Sequence, residues 1–244
     1  MGATDFLTTR WTEIRTAAGS SPEARAALER FCCGYWYPLY AFLRRDGHDA
    51  DGSTDLVQGF FAVFLARNDL AGLEPGRGRF RSYLLGALKH HVMNERRRAG
   101  ALARGGGERI LSLDSALDPR DAEARYAQEP ATSETPETLY ERRFAHALLA
   151  AALERLRLDE VRSGREREFE ALRPALAGDA VEGGYARLAE ELGTTEGALK
   201  TAVHRLRKRY RGALVDEVAR LVDRPQDVED ELRHLLLVLS DSPR

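Results

Sequence analysis

The chain of 244 residues has only two cysteines, two methionines and two tryptophans, and β-branched residues are sparse beside its Ala, Leu, Arg and Glu. Few β-branched residues disfavour a sheet, whereas alanine and unbranched side chains favour helices, so the expected fold class is all-α. Cys32 and Cys33 are adjacent in a helical stretch. Neighbours cannot close an ordinary disulfide, and no second ligand pair accompanies them for zinc, so they read as buried thiols with no metal. Apolar runs such as 148–153 and 235–239 fall far below the ~20 residues of a bilayer span. A basic-then-apolar leader with a small-residue cleavage site is also missing from the first residues, so the expectation is a cytoplasmic protein with no membrane partner. Disorder throughout is excluded by a composition of 43% hydrophobic and 31% charged residues.

Net charge is lacking too, at −2 with an isoelectric point near 6.3. Taken alone that argues against nucleic acid, but the local distribution reverses it. Residues 76–109 carry nine basic side chains against two acids, a net of +7, and residues 200–211 add six basic residues and no acid. Residues 110–141 between them hold eight acids and two arginines, a net of −6. Two basic blocks therefore flank an acidic segment.

Residues 11–45 read as one or two helices, with Leu28, Phe31, Cys32, Tyr35, Leu39 and Phe42 forming a stripe at three- and four-residue spacing. Glycines and aspartates at 47–52 break it, after which Ser53 or Thr54 can cap a helix carrying Leu56, Val57, Phe60, Phe61, Phe64 and Leu65, with Asp55 and Gln58 outside the stripe. Residues 68–78 hold Gly72, Pro75, Gly76 and Gly78 and predict a loop. The helix from Phe80 to about Arg98 then buries Phe80, Leu84, Leu88 and Val92, leaving Arg81, Lys89, His90, Asn94 and Arg97 on its other faces. Asp, Glu, Ala, Pro, Ser and Thr dominate the following stretch, which predicts a poorly packed linker. The domains so drawn are 11–102, a linker 103–137, 138–214, and an extension 215–244. In the third of these, residues 138–162 and 166–176 predict two helices, and Gly183 and Gly184 punctuate the chain.

Residues 185–209 carry the most specific pattern. Leu188, Ala189 and Leu192 face inward on a first short helix, Gly193 permits the positive φ of a tight turn, Thr195 can cap a second helix, and Leu199, Ala202, Val203 and Leu206 bury that second helix. A small residue is needed at Ala189, where the two helices cross. Glu196, Lys200, Thr201, His204, Arg205 and Lys208 are left outward, a set suited to base edges and phosphates in a major groove.

Combined with the first half, these segments resemble a known family. Tyr37-Pro38-Leu39-Tyr40-Ala41-Phe42-Leu43-Arg44-Arg45, then Asp55-Leu56-Val57-Gln58-Gly59-Phe60-Phe61, then Gly78-Arg79-Phe80-Arg81-Ser82-Tyr83-Leu84-Leu85, and finally the helix-turn-helix, are similar in order and spacing to a bacterial sigma factor of the sigma-70 family, extracytoplasmic-function group. That group retains only domains two and four, and the resemblance covers about 11–98 and 137–214.

What the resemblance implies is a subunit, without a catalytic step or cofactor of its own, that binds core RNA polymerase and confers promoter specificity. Asp55, Leu56, Gln58 and Phe61 would dock on the β′ coiled coil. The −10 element would be captured as single-stranded DNA by the loop and helix bearing Arg77, Arg79, Phe80, Arg81, Tyr83, Lys89, His90, Asn94 and Arg97. Domain four would read the −35 duplex through Thr195, Glu196, Lys200, Thr201, His204, Arg205 and Lys208 and touch the β flap. An anti-sigma factor or other regulator is a further partner to expect. Residue chemistry agrees with this division, because extracting a base needs aromatic surface and nearby cations.

The sequence departs from the common pattern in placing Gly59 where an acid often follows the glutamine, and Tyr83 where tryptophan is common. Its extension carries Val228, Leu232, Leu235, Leu236 and Leu239 on a helix that Pro225 can start. Three roles are open to that helix: packing on domain four, covering its DNA-reading face, or binding a partner. Two other functions compete with the resemblance. A dimeric operator-binding regulator would explain residues 185–210 alone, and a nucleic-acid enzyme would use Asp49, Asp51 and Asp55 as metal ligands.

Overall fold

A computed structural model describes residues 22–66, 79–102, 119–129, 134–177, 184–222 and 224–240. All regular structure among them is helical: α1 (Pro22–Arg45), α2 (Ala50–Ala66), α3 (Phe80–Leu102), α4 (Pro119–Ala127), α5 (Pro136–Arg162), α6 (Glu166–Leu172), α7 (Pro174–Ala177), α8 (Gly184–Leu192), α9 (Glu196–Ala219), a 3-10 turn (Pro225–Asp227) and α10 (Val228–Ser240). No helix among the described residues is long and apolar enough to cross a membrane. The side chains of Cys32 and Cys33, and the loop with Arg77, lie outside what is described.

Chain contacts define two units, residues 1–147 with 218–244, and residues 148–217. In the first, the stripe of α1 buries Tyr35, Leu39, Phe42 and Leu43, α2 buries Val57, Phe60, Phe61 and Phe64, and α3 buries Phe80, Leu84, Leu88 and Val92. Tyr35 meets Phe80 edge-on at 5.6 Å and stacks on Phe144 of α5 at 5.0 Å. At roughly 25 cal/mol per Å² of apolar area, such rings are the largest single contributors to this core. The cap of α2 is Asp49 rather than the expected Ser53 or Thr54. Its Oδ1 accepts the Gly52 amide at 2.7 Å, while Ser53 is buried inside the first turn.

The expected linker is the main difference from the sequence reading. Within it α4 is an ordered helix held against α1. Arg44 donates to both carboxylate oxygens of Glu123, at 2.9 and 2.7 Å, Tyr40 donates to the same carboxylate, and Tyr37 donates to Glu129 at 2.6 Å. Arg125 lies 3.8 Å from the centroid of the Tyr37 ring. Acids that look like the mark of a solvated tether are ligands for the cations and phenols of α1. The unit boundary also falls inside α5, not ahead of it, because Leu139, Tyr140 and Phe144 in its first turns are buried in the first core.

The extension is corrected as well. Residues 218–244 group with the first unit, whereas the sequence drew 215–244 as a separate extension with packing on domain four as one of its three open roles. Leu232 and Leu235 of α10 are buried, but Leu236 is exposed beside Leu237, so the apolar face is narrower than the stripe predicted.

In the second unit, Leu156 of α5, Phe169 and Leu172 of α6, Ala175 of α7, Leu188 and Ala189 of α8, and Leu199, Val203 and Leu206 of α9 form one core. The helix predicted over 166–176 is interrupted at Arg173, where Pro174 restarts the chain as α7.

Candidate nucleic-acid interface

The corner between α8 and α9 is built by local chemistry. Gly193 takes φ +63°, a region costly for any side chain, and the Thr194 amide returns to the Ala189 carbonyl at 2.9 Å, closing the end of α8. Thr195 then starts α9: its hydroxyl accepts the Ala198 amide at 3.2 Å and its carbonyl accepts that of Leu199 at 3.1 Å. With Leu199, Val203 and Leu206 turned into the core, helical geometry sends Glu196, Lys200, Thr201, His204, Arg205 and Lys208 outward, and all six are exposed, as is Thr195. Lys200 Nζ lies 3.6 Å from Glu196, a weak pair on an open surface, and the Thr201 hydroxyl donates to the Gly197 carbonyl at 2.9 Å. On one flank Arg207 is used by the fold, donating to the Ala175 carbonyl at 3.2 and 2.6 Å.

The basic block of the first unit is arranged differently. Phe80 and Arg81 are buried, at 2% and 3% exposure, and neither side chain can meet a base or a phosphate in this arrangement. Arg81 is held between two carboxylates: Nε is 2.5 Å from Glu141 of α5, and Nη1 pairs with Glu231 of α10. Burial pulls the guanidinium below its ordinary pKa, and Glu141 opposes that shift. Arg79 is half-exposed and also reaches Glu231, at 3.0 Å, while His234 stands 3.2 Å from Glu141. Lys89 is exposed but pairs with Glu137 at 2.7 Å and lies 5.3 Å from the Phe42 ring centroid. The remaining expected contacts, His90, Asn94 and Arg97, are exposed, and Tyr83 is half-buried. Tyr83, His90 and Asn94 line an open cavity of about 420 Å³ together with Phe60, Phe64 and His91, so part of the predicted set does converge on one surface.

Of the residues expected to meet polymerase, Asp55 is exposed and Leu56 and Gln58 are partly so. Phe61 is wholly buried against Phe60, which removes it from any docking face. No group of three or more His, Cys, Asp or Glu among the described residues is placed to hold a metal ion, and Asp49 is occupied as the helix cap. Comparison with family models, curated proteins and solved structures finds no match for this chain.

Sequence reasoning missed Glu231, Glu141 and His234. The signal available was Glu231 itself, an acid on the same face of α10 as Leu232 and Leu235, where only a buried cation could compensate it. It also missed Glu160, buried in the second unit and compensated by Arg165, at 2.7 Å, and by Arg209.

Proposed function

We propose that this protein is a promoter-specificity subunit of bacterial RNA polymerase, similar to sigma factors of the extracytoplasmic-function group, acting without catalysis or cofactor of its own. The observation that carries the reading is the capped, glycine-cornered α8–α9 pair, whose exposed face presents Lys200, Thr201, His204, Arg205 and Lys208 side by side. A helix of this kind enters a major groove with its side chains toward base edges. For the first unit, the Tyr83, His90 and Asn94 cavity beside exposed Arg97 supplies the aromatic and hydrogen-bonding surface that an unstacked −10 base needs. Asp55, Leu56 and Gln58 are the side chains open to the β′ coiled coil, the second unit would meet the β flap, and an anti-sigma factor remains a partner to seek.

The loss of Phe61 from the docking face favours a second reading, a helix-turn-helix regulator that binds DNA without core polymerase. One experiment separates the two. In transcription reconstituted with core polymerase and a random promoter library, the first reading expects comigration with core and transcripts sharing two spaced elements. Duplex binding with neither comigration nor transcripts would leave the regulator, and binding to neither DNA nor polymerase would end both.

A further inference from the structure

Three arginines converge on the flank of α9 opposite Arg207. Glu160, near the end of α5, is 3% exposed, and its carboxylate is shared by Arg165 and Arg209. Arg165 follows a turn in which Gly164 takes φ +69°, and its amide is tied to the Glu160 carbonyl at 2.9 Å, so its backbone has little freedom. A buried carboxylate needs one cation to balance it, and here it has two. Their side chains stay 46% and 39% exposed, and each guanidinium carries five N–H donors, more than one carboxylate can accept. Arg205, one turn before Arg209, lines the same open cavity of about 330 Å³, as does Glu168. The lining therefore has an excess of positive charge and donors already aimed by a fixed anion.

We infer that this cavity seats a backbone phosphate of duplex DNA, held by Arg165, Arg205 and Arg209, with Glu160 as the positioning residue that orients two of them. The inference rests on the DNA-binding reading of α9 and adds to it an anchor independent of sequence. Planar guanidinium forks match phosphate oxygens, and a site spanning α9 and the turn before α6 would set the depth and angle at which the recognition face meets the groove. A free phosphate shares the chemistry. The continuity of the cavity with the exposed face of α9, through Arg205, favours the DNA backbone.

The test uses the full chain and duplexes of matched and random sequence, titrated by fluorescence anisotropy across a salt series. Arg165→Gln and Arg209→Gln should each weaken both duplexes alike, by roughly fivefold, and reduce the slope of log K against log salt by about 0.9, leaving sequence preference unchanged. Glu160→Gln separates positioning from charge. Removing an acid tightens DNA binding if only net charge matters, whereas loss of orientation weakens it, and weakening is expected. Should Glu160→Gln fail to fold, the two arginine variants still decide. Inorganic phosphate alone is the second arm: if it raises the melting temperature of the native chain and not of Arg165→Gln, while both arginine variants keep the native salt slope on DNA, the ligand is free phosphate and the backbone seat is overturned. Unchanged affinity and slope in folded Arg165→Gln and Arg209→Gln, with native protein binding duplex, overturns the seat alone. Native protein that ignores duplex DNA overturns the recognition reading together with it.

Discussion

The two basic regions look alike as composition and differ in how their charge is spent. In the first unit, Arg79, Arg81 and Lys89 face Glu231, Glu141 and Glu137, acids drawn from α5 and α10. On α9, His204, Arg205 and Lys208 keep an exposed face, and the one acid among the six outward residues, Glu196, makes only a loose contact with Lys200. A cation neutralised inside the fold contributes little to attracting a polyanion, while an exposed one releases counterions from DNA when it binds. Counting basic residues along a chain therefore overstates the interface more in the first unit than in the second, where Arg207 and Arg209 are the ones engaged by the fold, through the Ala175 carbonyl and Glu160.

The comparison breaks most directly at Arg81. Arg81→Met takes from buried Glu231 its buried cation, leaving only the half-exposed Arg79, and should cost stability toward the lower end of roughly 3–5 kcal/mol in the first unit, read from the urea midpoint. A folded variant of native stability that failed only at promoter opening would restore Arg81 to the DNA-contact set. Next in size is the corner of the second unit. Gly193→Ala forces a side chain into positive φ and should cost about 1–2 kcal/mol, with a parallel loss of duplex binding. A neutral outcome would mean that the corner does not depend on glycine.

Lys208→Ala and His204→Ala sharpen the contrast from the other side. Each should weaken duplex binding by about 1 kcal/mol, roughly fivefold, with the melting temperature unmoved, because both side chains are exposed. Equal losses of stability in these variants and in Arg81→Met would erase the distinction between the regions. The smallest effect concerns the helix within the acidic segment. Hydrogen bonds from Arg44 and Tyr40 hold the Glu123 carboxyl below its ordinary value of 4.5, so folding gains from its ionised form above that pH. The gain disappears as the pH falls through the lowered folded value. Glu123 is 39% exposed, so screening keeps the contribution under about 1 kcal/mol. Glu123→Gln should flatten the difference in stability between pH 6 and pH 3, and an unchanged pH profile would show that the Arg44 pair contributes nothing measurable.

What was legible beforehand was local. The α8–α9 corner depends on Gly193, Thr195 and apolar residues three or four apart, all within one short stretch, and the structure has helices and a corner where that spacing predicts them. The stripes of α1, α2 and α3 were legible for the same reason. Helix α4 was not, because Glu123 and Glu129 find their partners on α1, some 80 to 90 residues away. The fate of Arg81 was hidden too, because it is buried only where two distant carboxylates surround it, whereas Phe61 already stood in the apolar stripe of α2 and its burial conflicts only with the docking role that the resemblance implies.

Helical periodicity and turn chemistry are properties of short segments, so the amino-acid order alone was enough to specify an all-helical chain with a capped, cationic α9. Which cations are silenced, where α10 packs, and that the acidic stretch holds a docked helix were set by contacts between residues far apart in the chain. Burying a charge is tolerable only where folding brings its counter-charge alongside, and no local pattern records that meeting.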